Sequence, residues 1–188
     1  MNDNKICPIF TARLLLRKFR EDDFDAVHGY ASDFENLIFM QWGPNNEEET
    51  KTFINNAIAE SEKMPLNQMS FAVTLIDNGE LIGGCSLSLD KDSGEMGWIL
   101  RREYWKRGYG SEAGKALLRL GFDKMKLRRI YARCDSENTG SYRLMKKIGM
   151  RRESFTLGCR PANKLSDKKF GDEFLYVITK NEWDEANT

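Results

Sequence analysis

Short runs of alternating apolar and polar residues recur along the chain, and this period of two is typical of half-buried β-strands. Two of these runs flank the turn sequence Asp77-Asn78-Gly79, so they are expected to pair as a hairpin. In total the pattern predicts seven strands, over residues 12–18, 71–76, 80–89, 95–100, 128–134, 150–157 and 173–179.

Between the strands, apolar residues three or four positions apart predict amphipathic helices. Acidic residues at the start of two of these segments support the prediction, because the helix dipole favours negative charge in the first turn. The predicted helices are 21–32, 46–61 with Asn45 or Asn46 as its cap, 110–126, and 139–147 with Gly149 closing its C-terminus.

Composition limits the class of protein. The chain has 188 residues, of which 29 are basic and 29 acidic, so we expect a single domain, 1–188, without the net charge that attracts nucleic acid or an anionic membrane. It shows neither a signal-peptide pattern nor an apolar run of membrane-spanning length, which favours a soluble cytoplasmic protein. Four well-separated cysteines and one histidine predict reduced thiols, with Cys85 and Cys134 in the core, and no metal site.

The junction between the strand 95–100 and the helix 110–126 is the most informative segment. Gly108 and Gly110 let the backbone turn tightly and leave no Cβ in the way of a ligand. The first amides of the helix have no intrahelical partner, so they form an anion site suited to a pyrophosphate. The spacing matches neither a P-loop nor a three-glycine dinucleotide loop, which disfavours a nucleoside triphosphatase or a dinucleotide-binding protein.

The same loop, Trp105-Lys-Arg-Gly-Tyr-Gly110, resembles the coenzyme A signature of the GCN5-related N-acetyltransferases, Arg/Gln-x-x-Gly-x-Gly/Ala between a strand and a helix. Tyr104-Trp105 before the loop is similar to the RimJ/RimL-like branch, the ribosomal-protein-alanine acetyltransferases. Three further segments resemble this branch and extend the resemblance over about residues 11–184: 11–17, 138–141 with 145–150, and 172–176.

This resemblance implies an α/β (α+β) fold: a mixed, twisted, mostly antiparallel sheet of about seven strands, with helices on both faces. The fourth and fifth strands should splay apart and hold the pantetheine arm of acetyl-CoA, the implied cosubstrate. Asn138 should contact the pantetheine, cap its own helix, or do both. The implied contacts of the cofactor are the loop residues Lys106, Arg107, Gly108, Tyr109, Gly110 and Ser111 for the pyrophosphate, and the strand residues Trp98, Ile99 and Leu100 for the pantetheine.

Acetyl transfer to an amine requires a group that takes the proton of the amine. Glu95 is the predicted base, because it lies on the strand that enters the cleft and shares a face with Gly97 and Ile99. Asp172 and Glu173 are weaker alternatives.

A second group can return a proton to the leaving thiolate. Many family members use a tyrosine seven residues after the asparagine, and this chain has Met145 there. In the RimJ/RimL-like branch the usual candidate is a serine, which corresponds to Ser141 and is favoured over Tyr142. A serine hydroxyl is a weak acid, so it would relay a proton or hydrogen-bond to the sulfur. Neither is essential if positioning provides most of the rate.

The predicted activity is direct acetyl transfer from acetyl-CoA to a primary amine in a ternary complex, with a protein N-terminal α-amine as the leading acceptor. A small amine (an antibiotic, polyamine or amino acid) is the main alternative, and a non-catalytic acyl-CoA-binding module is a third. Segments 39–44 and 161–170 are expected to border the acceptor, and the lysines of 164–169 argue against a polycation. The sequence leaves the acyl length and a homodimer open.

Overall fold

The computed structural model describes residues 7–63, 67–162 and 169–187 of the chain. Short 3-10 turns at Glu21–Asp23 and Arg102–Tyr104 and a π-helical turn at Leu120–Lys124 supplement the regular elements. These elements are β1 Ile9–Phe10, β2 Leu14–Arg17, α1 Phe24–Ala31, α2 Phe34–Leu37, α3 Glu47–Glu60, β3 Gln68–Leu75, β4 Leu81–Asp90, β5 Ser93–Leu100, α4 Tyr109–Arg119, β6 Arg129–Asp135, α5 Thr139–Lys147, β7 Arg151–Pro161, β8 Phe170–Thr179 and α6 Lys180–Asn187.

Within the described residues the eight strands belong to one sheet, in the order β1-β2-β3-β4-β5-β6-β8-β7. Neighbouring strands are antiparallel except β5 and β6, which are parallel and pair only at Ser93–Glu95 with Arg129–Tyr131. Beyond these three positions the rest of β5, 96–100, and the rest of β6, 132–135, diverge and leave a gap. The mixed sheet and its splayed central strands, which the family resemblance implied, are therefore confirmed.

Apolar side chains on the two faces of the sheet form separate clusters, because successive strand residues point to opposite faces. On one face α4 and α5 cover the larger cluster, which includes Met96, Leu117 and Met145. On the other face α1 and α3 cover a smaller cluster around Tyr30 and Ile54. Helices thus lie on both faces, as predicted, and the gap between β5 and β6 opens at the centre of the sheet.

The predicted helix and strand boundaries agree closely with the structure where the local signal is strong. The helix α5 has the predicted bounds, and Gly149 follows it with a φ of 95°. Asn46, and not Asn45, caps α3 in a reciprocal hydrogen-bond pair with Glu49. The predicted count of seven strands is one too few, because β1 has two residues and is too short to show an alternation.

The four cysteines are all free, and they differ in burial. Cys85 and Cys134 are free and buried, as predicted. Within the described ranges no helix combines the length and apolarity needed to cross a membrane, and no cluster of metal-binding side chains is found.

Candidate active site

Gly108 gives the loop between β5 and α4 its turn. It is the N-cap of α4 and has a φ of 86°, a left-handed conformation that residues with a Cβ rarely adopt. Glu112 N donates to Gly108 O in the first turn of the helix. The amides of Tyr109, Gly110 and Ser111 therefore lack a partner within the helix and are positioned to bind a phosphate. The exposed Lys106 and Arg107 lie on the same loop and add positive charge.

Gly110 is a glycine for a different reason from the one that the sequence suggested. A Cβ at Gly110 would lie 2.6 Å from Leu144 Cδ1 of α5. Since Gly110 is buried inside the first turn of α4, the missing side chain lets α5 pack against α4. Only Gly108 of the two glycines is required by the backbone conformation of the loop.

A clamp from the start of the chain holds this loop in place. Glu112 accepts hydrogen bonds from Thr11 Oγ1 at 2.7 Å, from Arg13 N at 2.8 Å and from Arg13 Nε at 2.8 Å. Arg13 Nη1 also donates to Arg107 O at 3.1 Å, and the guanidinium lies 4.3 Å from the centre of the Tyr109 ring. The segment 11–17 was noted for its family resemblance, and this clamp is a structural role for it.

Glu112 makes the clamp dependent on pH. Burial alone would raise the pKa of Glu112, but the hydrogen bonds from Thr11 and Arg13 outweigh burial and lower it below the ordinary value of 4.5. Because the pKa is lower in the folded protein, the carboxylate stabilises the fold at neutral pH. This stabilisation is lost as the pH falls below about 4.5 and through the folded-state pKa.

We expect E112Q to lower the free energy of unfolding at pH 7 by about 1–3 kcal/mol, because hydrogen bonds to a charged group are lost. Coenzyme A affinity should fall as well, since the loop loses its support. Chemical denaturation and calorimetric titration measure the two effects, and the difference in stability should shrink below pH 4.5.

The matched control for this variant is E182Q. Glu182 accepts from Thr179 Oγ1, Thr179 N and Arg151 Nε, the same kinds of donor, but on α6. E182Q should leave coenzyme A affinity unchanged. An E112Q protein that binds coenzyme A as tightly as the wild type would show that the clamp does not support the loop.

The edge of β5 that faces the gap is an unpaired strand edge. Arg101 N donates to Ile82 O. In the antiparallel pairing with β4, this bond shows which residues of β5 hydrogen-bond to β4 and which point away from it. The backbone groups of Ile99 consequently point to β4, and those of Trp98 and Leu100 point into the gap. Trp105 Nε1 donates to Leu100 O at 2.7 Å, so that carbonyl is already bonded. The Trp98 N–H and C=O and the Leu100 N–H are the groups oriented to pair with an extended ligand.

The start of α5 lies just after the part of β6 that borders the gap. Asn138 Oδ1 accepts from Ser141 N at 2.9 Å, so Asn138 caps the helix and only its Nδ2 group is left to donate to a ligand. Burial raises the pKa of the Cys134 thiol to about 11, and the nearby Ser141 side chain acts to lower it. Tyr142 packs its ring edge-on against Phe174, with centroids 5.7 Å apart.

The predicted base Glu95 is half-buried and paired with an arginine. Arg133 Nη1 donates to both Glu95 oxygens, at 3.1 and 3.0 Å, and Arg133 Nε lies 3.5 Å from Glu173 Oε1. Two of the three candidate carboxylates thus share one guanidinium. The third, Asp172, accepts from Gly158 N at 2.9 Å in the hairpin between β7 and β8.

This ion-pair chain continues towards the segment 39–44. Arg160 Nη1 lies 3.3 Å from Glu173 Oε2, and Arg160 Nη2 donates to Phe39 O at 3.3 Å. Arg160 is largely buried, with 11% of its side chain exposed. These ion pairs and the hydrogen bond to Phe39 therefore connect segment 39–44 to the strands at the centre of the sheet. No local sequence pattern indicates this connection.

A cavity of about 390 Å³ lies beside β5 on the face covered by α1 and α3. Gly97, Trp98 and Ile99 of β5 form one wall of it. Met40 and Trp42 of the segment 39–44, which was expected to border the acceptor, line this cavity as well. Residues 163–168 of the other predicted border lie outside the described residues. The cavity and the gap thus share β5 as their common boundary.

The loop, the unpaired edge and the gap together fit a long ligand with a pyrophosphate at one end and amides along its length. The family model for the acetyltransferase (GNAT) domain matches residues 13–151. The chain belongs to the GNAT family and is an acetyl-CoA-dependent N-acetyltransferase.

Individual relatives extend this assignment over nearly the whole chain. The chain is 39% identical over 177 residues to the uncharacterized N-acetyltransferase YnaD of Bacillus subtilis, covering 93% of this chain and 98% of YnaD. The crystal structure of a GNAT-family acetyltransferase from Bacillus anthracis matches with a TM-score of 0.81 and 38% identity, covering 93% and 99% of the two chains. Spermidine N-acetyltransferase from Vibrio cholerae, solved with CoA and spermine, shares the fold at 18% identity, with a TM-score of 0.77 and coverage of 92% and 99%.

Proposed function

We propose that this acetyltransferase transfers the acetyl group directly to a primary amine held in the cavity beside β5, and that the amine is the N-terminal α-amine of a protein. The shared wall carries the proposal, since Gly97, Trp98 and Ile99 line the cavity and the Trp98 backbone faces the gap. Acetyl-CoA supplies the activated acyl group as a thioester. Holding two reactants on either side of one strand makes the reaction effectively unimolecular.

The open end of the cavity supports an acceptor that extends into solvent. Trp42 and Phe53 line the cavity, and each is 39% exposed. A polypeptide whose first residue occupies the cavity can therefore leave between them. The resemblance to the RimJ/RimL-like branch points to the same class of acceptor. A polyamine, the acceptor class of the Vibrio cholerae relative, is disfavoured because the described residues that line the cavity include no carboxylate.

Two side chains have proposed roles in proton transfer. Glu95 lies two residues before Gly97 on the same face of β5, so it can take the amine proton directly or through a water. Arg133 holds its carboxylate in place. Ser141, on the first turn of α5, is proposed to hydrogen-bond to the leaving sulfur.

The test is the release of free thiol from acetyl-CoA in the presence of protein N-terminal peptides, polyamines or aminoglycosides. We expect release with peptides, and mass spectrometry should place the acetyl group on the α-amine. Release with small amines alone would replace the protein acceptor by a small molecule. Tight coenzyme A binding without turnover on any amine would contradict catalysis and favour a binding module.

A further inference from the structure

The cavity beside β5 is lined by uncharged side chains, as far as the structure describes the chain. About 31% of the chain is charged, yet every described residue that lines the cavity is uncharged. The carboxylate of Glu95, two residues along β5 from Gly97, is already paired with Arg133. An acceptor in the cavity therefore finds no free counter-ion among the side chains that line it.

The two sides of the cavity differ in chemistry. Its floor is the sheet, where the small residues Ser70, Gly84, Ser86 and Gly97 provide room and hydroxyl groups. Ser86 lies directly across from Gly97, and its Oγ is 3.4 Å from the position that a Cβ on Gly97 would take. The opposite side is mostly apolar and aromatic: it includes Phe19, Val27, Tyr30, Trp42 and Phe53, and Asn45 adds an uncharged amide.

Tyr30 adds a buried neutral hydroxyl to the cavity wall. Its Oη has no hydrogen-bond partner among the described residues and lies 3.5 Å from the position of a Cβ on Gly84. Burial strongly raises the pKa of Tyr30, with smaller contributions from Asp23 and Cys85, so the phenol stays neutral. A buried hydroxyl without a partner is unfavourable, so a ligand atom that hydrogen-bonds to Tyr30 Oη would remove this cost, and the neutral phenol supplies no counter-charge.

We infer that the acceptor is a primary amine whose amine-bearing group is apolar and carries no second charge. This inference rests on the proposed function. A second charge in the cavity would lose much of its hydration without gaining an opposite charge from the described lining residues. The same loss of hydration lowers the pKa of the reacting amine and favours its neutral, nucleophilic form. The uncharged lining of the cavity thus disfavours acceptors with a second charge and also favours the neutral form of the reacting amine.

Two matched pairs of acceptors test the inference with the wild-type enzyme. One pair is a short peptide with N-terminal norleucine and the same peptide with lysine. The other pair is pentylamine and 1,5-diaminopentane. We expect kcat/KM to be at least about tenfold higher for the uncharged member of the pair that is turned over. The pair that reacts identifies the source of the amine as protein or small molecule, and equal or faster turnover of the charged member would overturn the inference.

A carboxylate placed in the floor should offset this preference. In S86D the added carboxylate lies opposite Gly97, where it can attract the second charge of an acceptor. We expect kcat/KM for the charged acceptor, divided by kcat/KM for the uncharged one, to rise by at least about tenfold. N55D adds the same charge on the exposed side of α3 and should keep the wild-type ratio. A folded S86D protein with the wild-type ratio would contradict the placement of the acceptor against this floor.

The inference and the proposed function can fail separately. If no amine is acetylated, the proposed function is wrong, and binding of unreactive alcohols then decides the inference. Fluorescence of Trp42 and Trp98, which both line the cavity, reports such binding. Tighter binding of 1-pentanol than of 5-amino-1-pentanol would support an uncharged site, and the opposite order would overturn it.

Discussion

Replacing Gly108 with valine is expected to weaken coenzyme A binding by about 10–100-fold. Gly108 has a φ of 86° at the N-cap of α4, and a β-branched residue there costs about 1–3 kcal/mol. The added side chain also approaches Arg13 Nη2, which lies 3.3 Å from the position of the new Cβ. To relieve both effects the loop must change its backbone, and the amides at the start of α4 move with it. Calorimetric titration with coenzyme A measures the loss.

Gly79→Val is the matched control for this variant. Gly79 has a φ of 74° in the hairpin turn between β3 and β4, with no neighbour within 4 Å of a new Cβ. It carries a similar backbone cost far from the loop, so stability should fall while coenzyme A affinity is kept. If Gly108→Val bound coenzyme A as tightly as Gly79→Val, the loop would not be the pyrophosphate site.

Glu95→Gln is expected to lower kcat by about 100-fold at neutral pH, because a positioned general base contributes about 10²–10⁴-fold. Coenzyme A affinity should be unchanged, since Glu95 lies where β5 and β6 are still paired. Steady-state kinetics with a peptide acceptor, together with titration of coenzyme A, separates the two quantities.

Glu153→Gln provides the control for the loss of a surface ion pair. Glu153 pairs with Arg129 and its side chain is 37% exposed, the same fraction as that of Glu95. Glu153→Gln also removes the charge of a half-exposed carboxylate that pairs with an arginine, so it should show any general effect of losing such an ion pair. We expect it to keep the wild-type kcat. Equal kcat for the two variants would remove Glu95 as the base and leave positioning as the source of the rate.

The sequence predicted correctly those structural features that depend only on residues close together along the chain. The apolar spacing and caps of α5 and the turn at Gly108 depend on neighbouring residues, and the structure has both. The clamp on the loop joins Glu112 to Arg13, which is 99 positions away, and no local pattern can show such a contact. The spacing of the loop glycines drew attention to Gly110. In the structure, a side chain at this position would collide with Leu144 on α5, and the sequence does not show this contact.

The cavity proposed to hold the acceptor shows the same limit of local sequence patterns more strongly. Segment 39–44 was predicted to border the acceptor because of its position between two helices. The floor comes from three strands, where Ser70, Ser86 and Gly97 read as ordinary strand residues with small side chains. Their common role appears only when β3, β4 and β5 lie side by side. Strand alternation predicts which residues share a face but not which of them border a space.

The gap in the sheet links the folding of this protein to its cosubstrate. Between β5 and β6 only three residue positions on each strand are paired, and part of the edge of β5 has no strand to bond to. A ligand that occupies the gap completes the sheet in the folded chain and has no such site in the unfolded chain. At a ligand concentration 100 times the dissociation constant, mass action adds about 2.7 kcal/mol to the free energy of unfolding. If acetyl-CoA binds along β5, as the family resemblance implies, it extends the sheet reversibly, and the melting temperature of the enzyme measures how much of it is bound.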